Sequence, residues 1–169
     1  EYADMQLLGE AYALLQQGLG LSAPQMAEVF EGWNRDWLAS YLMDITVDIL
    51  RRVDDVTGRP LVDLIVDKAE QKGTGRWTSE AALAFGVPTP TLTAAVFART
   101  TSALRNQRLQ LAAVLAGPAQ PPSPDANWVQ SLGQALLAAR LATYAQGLDL
   151  IHTASLEREW HIPLTTVTS

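Results

Sequence analysis

The 169-residue chain has no cysteine and only two histidines, His152 and His161. The first absence removes disulfides, thiolate metal sites and a thiol nucleophile, and it fits a cytoplasmic setting. The second leaves no imidazole with a partner at ligand spacing, so no metal is expected. Cations are also scarce, 12 against 18 acids for a net charge of −6, which is the wrong sign for a nucleic-acid binder. No apolar run is long enough to cross a bilayer, and no basic segment with a small-residue cleavage site opens the sequence, so neither membrane insertion nor secretion is expected. No convincing alternating, strand-period run occurs, and no serine lies in a strand–turn–helix context that would make it a nucleophile. What remains is 48% hydrophobic, enough for one all-α domain spanning residues 1–169.

The apolar residues recur at helical spacing. Met5, Leu8, Tyr12, Leu15 and Leu19 predict a first helix ended by Gly18 and Gly20. Ser22 with Pro24 starts a second, carrying Met26, Val29, Phe30 and Trp33. Leu38, Tyr41, Leu42, Ile45 and Ile49 form a third stripe, stopped near "DDVTGRP". A short helix is expected over 61–69, and another capped by Thr78 or Ser79 with Glu80 in its first turn. A longer one is expected over 91–116, with Leu92, Val96, Ala103 and Val114 on one side. The proline-rich linker at 117–124 interrupts, and a long C-terminal helix from Asp125 or Asn127 reaches nearly to Trp160. Its length, roughly 50 Å at the helical rise, exceeds what one compact domain needs and points to a second subunit.

Three places can carry chemistry. In "KGTGRW", residues 72–77, two glycines permit a tight turn and close backbone approach, while Lys72 offers charge, Thr74 a hydroxyl, and successive amides an anion-binding concavity. An ordinary interhelical turn accounts for the same residues. Arg99 shares the Leu92, Val96 and Ala103 face, so its guanidinium leaves from the buried stripe, toward either a bound phosphate or carboxylate or an internal acid. Glu1 projects into the middle of the first apolar stripe, where a dry setting would raise its pKa and suit it to general-acid work; a frayed terminal acid is the alternative. Tyr2 adds a phenolic donor beside it.

Charge supports the middle of the chain as the anion site. Lys72, Arg76, Arg99, Arg105 and Arg108 face one acid, Glu80, a local excess of four cations that leaves −10 on the remainder. Arg76, Arg105 and Arg108 also read as helix-surface charges. The carboxylate pairs Asp44/Asp48 and Asp63/Asp67 lie four residues apart, but Arg51 and Arg52 stand one turn beyond Asp48 to neutralise it, so solvated faces are expected rather than a metal.

"EYADMQLLGEAY", "EVFEGWNRDWLASYLMDIT", "EQKGTGRWTSEAAL" and "AAVFARTTSALRNQR", in this order and spacing, closely resemble the helical C-terminal domain of 6-phosphogluconate dehydrogenases. The resemblance continues through "YAQGLDLI" and "EWHIPL" and covers essentially the whole chain. It implies a substrate-binding and dimerisation domain of an NADP-dependent (in some members NAD-dependent) cytoplasmic homodimer. That enzyme oxidatively decarboxylates 6-phosphogluconate to ribulose 5-phosphate in the pentose phosphate pathway. By the same resemblance Glu1 is the catalytic acid that protonates the enediol left when carbon dioxide departs. Tyr2, Lys72, Thr74 and Arg99 hold the substrate phosphate.

The resemblance also implies parts that these residues do not supply. They are an N-terminal Rossmann domain for the nucleotide, a catalytic lysine with a histidine–asparagine pair upstream of Glu1, and a tail with an arginine and a histidine beyond "IPL". The expectation is therefore a segment of a longer enzyme, part of an intertwined dimer and inactive alone. Ala3 stands at a usual glycine, Trp37 and Ala39 at usual acids, and Glu70 at a usually small position where it could weaken anion affinity beside Lys72. Two other readings are a related β-hydroxyacid dehydrogenase domain, indifferent to phosphate, and a helical assembly module without catalysis.

Overall fold

A computed structural model of the chain describes residues 1–70, 72–115, 117 and 127–168. Among them are eight α-helices and no strand: α1 Tyr2–Leu19, α2 Ala23–Trp33, α3 Tyr41–Arg51, α4 Thr74–Ala84, α5 Pro90–Ala103, α6 Arg105–Ala112, α7 Trp128–Glu157 and α8 Leu164–Val167. The expected all-α architecture with a long C-terminal helix is what the chain adopts. The 30 residues of α7 span about 45 Å at 1.5 Å per residue. The proline-rich linker expected at 117–124 lies, but for Gly117, outside the described residues.

Local signals set several boundaries. Gly20 takes a left-handed φ of 66° and closes α1, whereas Gly18 stays helical, against expectation, and its missing Cβ leaves room for the Trp128 ring. Gln25 Oε1 accepts from both Ser22 N and Ser22 Oγ at the start of α2, and Ser40 Oγ accepts from Met43 N at the start of α3. Beyond α3, a lone bridge between Val53 and Pro60 closes the "DDVTGRP" turn.

The core is one cluster in which Leu8 and Leu15 of α1 meet Met26 and Phe30 of α2, Met43 and Val47 of α3 and Leu136 of α7. Burying such side chains is worth about 1.5–3 kcal/mol each. The third stripe is corrected here: α3 buries Met43, Val47 and Leu50, while Tyr41 and Ile49 from the expected face lie in solvent. A smaller cluster of Ala82, Val87 and Leu150 seats α4 against α7. α1 packs against α5 and α7, and α4 against α5, which gathers the N-terminal ends of α1 and α4 on the flank of α5.

Two more expectations are corrected. The helix foreseen over 61–69 is a single 3₁₀ turn, Leu61–Asp63, followed by loop. The helix foreseen over 91–116 breaks at Leu104 into α5 and α6. At the break the Ser102 carbonyl accepts from Arg108 Nη2 (3.1 Å), and Ser102 Oγ accepts from Ala69 N (2.9 Å). Arg108 also donates to Asp67 Oδ2 and to the Asp67 carbonyl, both at 2.7 Å. So Arg108 is not a simple surface charge: it fastens the loop before α4 to the α5–α6 junction. The same bond holds the Asp67 carboxyl below its ordinary pKa.

Candidate functional site

The glycine corner is the start of α4. Helix begins at Thr74, with Gly73 as N-cap at φ 113°, a conformation open to glycine and costly to other residues. The start foreseen at Thr78 or Ser79 is thus four residues late: Thr78 Oγ1 donates back to the Thr74 carbonyl (2.9 Å) and Ser79 Oγ to that of Gly75 (3.2 Å), as hydroxyls inside a helix do. Glu80 lies mid-helix, 3.5 Å from Arg76 Nε. Trp77 N makes the first α4 bond, to the Gly73 carbonyl, so the amides of Thr74, Gly75 and Arg76 precede it and give this end its positive character.

Tyr2 is the hub. Its hydroxyl accepts from the Lys72 backbone N at 3.2 Å, and its ring lies 4.4 Å beneath the Arg99 guanidinium carbon. The ring also fills the space that a side chain at Gly75 would need: a Cβ there would come within 2.6 Å of Tyr2 Cδ2 and Cε2. Tyr2 thus joins residues from α1, the 72–75 corner and α5 in one contact set. The stacked guanidinium is a cation–π contact worth about 0.5–1 kcal/mol when partly exposed.

The two cations are open to a ligand. Arg99 donates to the Glu70 carbonyl and to Met5 Sδ, both at 3.2 Å, and no ion pair forms between it and a described carboxylate. Lys72 is exposed, and its ammonium likewise meets no described carboxylate. Glu70 does not spoil the corner, because its carboxylate is engaged by Lys68 at 2.6 Å, a pairing that also lowers its pKa.

Glu1, Tyr2, Thr74 and Gly75 line a pocket of about 210 Å³ with Leu92 and Val96 as its apolar wall. Arg99 lines a neighbouring hollow with Met5, Ala69 and Ser102, and reaches the pocket's edge through Tyr2. Glu1 itself is exposed at the N-cap of α1 rather than set in a dry stripe, since the buried face of that helix is Ala3, Leu8, Ala11 and Leu15. The dry setting expected for Glu1 is therefore absent from the single chain.

The sequence reading missed Arg140. Its buried guanidinium makes a two-point pair with Asp4, Nε to Oδ1 at 2.7 Å and Nη2 to Oδ2 at 3.1 Å, one turn of helix from the pocket. The signal was available: it is the only charged residue between Trp128 and Leu148. Elsewhere, Asp44 accepts from Asn34 Nδ2 and Arg51 pairs with Glu31 at 3.0 Å rather than with Asp48. Among the described residues no three acids or histidines are placed to hold a metal, and no helix is long and apolar enough to cross a membrane.

The start of α4 and the Tyr2 phenol thus flank a small pocket in an all-helical fold, with Arg99 stacked on the phenol and Lys72 next to the helix start. The whole chain, residues 1–169, matches the family 6-phosphogluconate dehydrogenase, C-terminal domain, and it belongs to that family. It is 46% identical over 164 residues to the NADP(+)-dependent, decarboxylating 6-phosphogluconate dehydrogenase of Bacillus subtilis (strain 168), covering 96% of this chain and 35% of that protein. The NAD(+)-dependent decarboxylating enzyme of the same organism is 43% identical over 169 residues, covering 99% and 36%. Among solved structures, Plasmodium falciparum 6-phosphogluconate dehydrogenase, studied apo, with its cofactor NADP+ and with its substrate 6-phosphogluconate, superposes with a TM-score of 0.91. That match is at 37% identity and covers 97% of this chain and 36% of that one. The chain thus spans little more than a third of the length of these relatives.

Proposed function

We propose that this chain is the substrate-binding and dimerisation domain of a cytoplasmic 6-phosphogluconate dehydrogenase that oxidises and decarboxylates its substrate to ribulose 5-phosphate with NADP. The observation that carries this reading is Tyr2, held by the Lys72 amide and capped by Arg99, beside the open N-terminus of α4. A phosphate at that helix end would meet the amides of the first turn, the Thr74 and Tyr2 hydroxyls, the Lys72 ammonium and the Arg99 fork. Anchoring the phosphate, remote from the reacting carbons, places those carbons for hydride transfer and loss of carbon dioxide. Glu1, in the same pocket, then delivers a proton to the resulting enediol.

The nucleotide is a different matter. The described residues contain no strand, hence no strand–glycine turn–helix unit to cradle a pyrophosphate, and they do not fit a dinucleotide. This chain's own residues are assigned to the sugar phosphate alone. Assembly as a homodimer is supported by α7, which leaves Leu141, Tyr144 and Leu156 in solvent, and by the exposed Tyr41 and Ile49 of α3. In the whole enzyme, 6-phosphogluconate should drive NADP reduction, and gluconate at the same concentration should not. Equal rates with the two would remove the phosphate site and favour a different hydroxyacid.

A further inference from the structure

The proposed chemistry makes no use of Arg140, although it is among the most heavily bonded side chains of the domain. It is 7% exposed, and its partner Asp4 has a side chain only 13% exposed. Besides the two bonds to Asp4, Nη1 donates to the Leu38 carbonyl at 2.8 Å and Nη2 to Ser40 Oγ at 3.1 Å. A buried ion pair is a poor source of net stability, because desolvation of both charges offsets their attraction. What such a pair does supply is a fixed geometry, here between α7, the start of α3 and the first turn of α1.

That first turn needs fixing. Glu1 is the N-cap of α1 and makes no side-chain cap bond, and the first rung of the helix is Met5 N to the Glu1 carbonyl at 2.9 Å. Three side-chain hydrogen-bond attachments hold the turn: Tyr2 to Lys72 N and Met5 Sδ to Arg99 on the phosphate side, and Asp4 to Arg140 on the other. Lys72, Thr74 and Arg99 are carried by the 72–74 corner and α5, and Tyr2 is tied to them by its own contacts with Lys72 N and Arg99, apart from the Asp4–Arg140 attachment.

We infer that Arg140 is a positioning residue for the catalytic acid: acting through Asp4, it sets the place from which Glu1 delivers its proton. The catalytic half of this inference rests on the function proposed above; the structural half does not. The test uses Arg140→Met, Arg140→Lys and Asp4→Asn in the whole enzyme, read by amide hydrogen exchange and by steady-state kinetics. Exchange at the Met5 amide should accelerate by about tenfold or more in Arg140→Met and Asp4→Asn, with the amides of α5 unchanged. In the same two variants kcat should fall by about tenfold, while KM for 6-phosphogluconate moves by less than about twofold. Arg140→Lys should recover part of kcat, since an ammonium can still meet Asp4 but at one point rather than two.

Asp4→Asn preserves side-chain shape and carries the test if Arg140→Met fails to fold. Unchanged Met5 exchange in a folded variant overturns the inference. So do faster exchange with wild-type kcat, a raised KM at constant kcat, or a lysine variant no better than methionine. If the wild-type enzyme does not turn over 6-phosphogluconate, the proposed function fails instead, and the Met5 exchange alone decides the positioning.

Discussion

Gly75→Ala probes the hub at its tightest point. The added Cβ would lie 2.6 Å from two carbons of the Tyr2 ring and 2.9 Å from Val96 Cγ2, where ordinary carbon contacts are about 3.5–4.0 Å. The ring must therefore retreat by about 1 Å. From 3.2 Å, its hydrogen bond to Lys72 N would then be lost, at about 0.5–1.5 kcal/mol, and the Arg99 stack disturbed, at about 0.5–1 kcal/mol. Gly75 has no left-handed φ, so alanine suits the helix there and returns up to about 1 kcal/mol of propensity. The losses, about 1–2.5 kcal/mol together, exceed that return, so melting should fall modestly, while KM for 6-phosphogluconate rises about tenfold. In a Tyr2→Ala background the same substitution should cost at least about 1 kcal/mol less in binding, because the ring it displaces is gone. Equal costs in both backgrounds would refute the claim that Gly75 acts through Tyr2.

Lys72→Ala should raise KM for 6-phosphogluconate about tenfold or more with kcat little changed, and an unaltered KM in a direct titration would remove the ammonium from the site. Glu1→Gln should lower kcat more than it raises KM; turnover at the wild-type rate would exclude Glu1 as the acid. Asp67, held below the ordinary aspartate pKa first by the Arg108 hydrogen bond, stabilises the fold fully above that ordinary value. This contribution is lost as pH falls through the depressed pKa, so thermal melts of Asp67→Asn should match wild type at strongly acid pH and fall below it at neutrality. A difference that persists unchanged to low pH would contradict the linkage. The exposed faces of α3 and α7 should make the chain self-associate; a monomer by light scattering at tens of micromolar, roughly a typical affinity scale, would count against dimerisation.

Helix content was legible because the 3.6-residue period recurs through most of the chain, yet which face is buried was legible only in part. In α3 both the 41–45–49 and the 43–47–50 rows are apolar, and periodicity cannot choose between them when the second face is kept apolar for another surface. The α5–α6 break was hidden because it depends on Arg108 reaching Ser102 and Asp67, a tertiary contact that propensity does not contain. At the candidate site, Lys72, Thr74 and Arg99 stand out in sequence as charge and hydroxyl around glycines; in the structure the Lys72 amide and Arg99 contact Tyr2, and Thr74 lines the same pocket. Arg140 escaped because its partner lies 136 residues away in sequence.

A crystal structure of the enzyme with 6-phosphogluconate bound tests the central claim most directly. The phosphate should lie at the start of α4, within hydrogen-bond distance of Lys72 Nζ, Thr74 Oγ1, Tyr2 Oη and the Arg99 guanidinium. A phosphate bound elsewhere, with Lys72 and Arg99 each turned to a separate carboxylate, would contradict it.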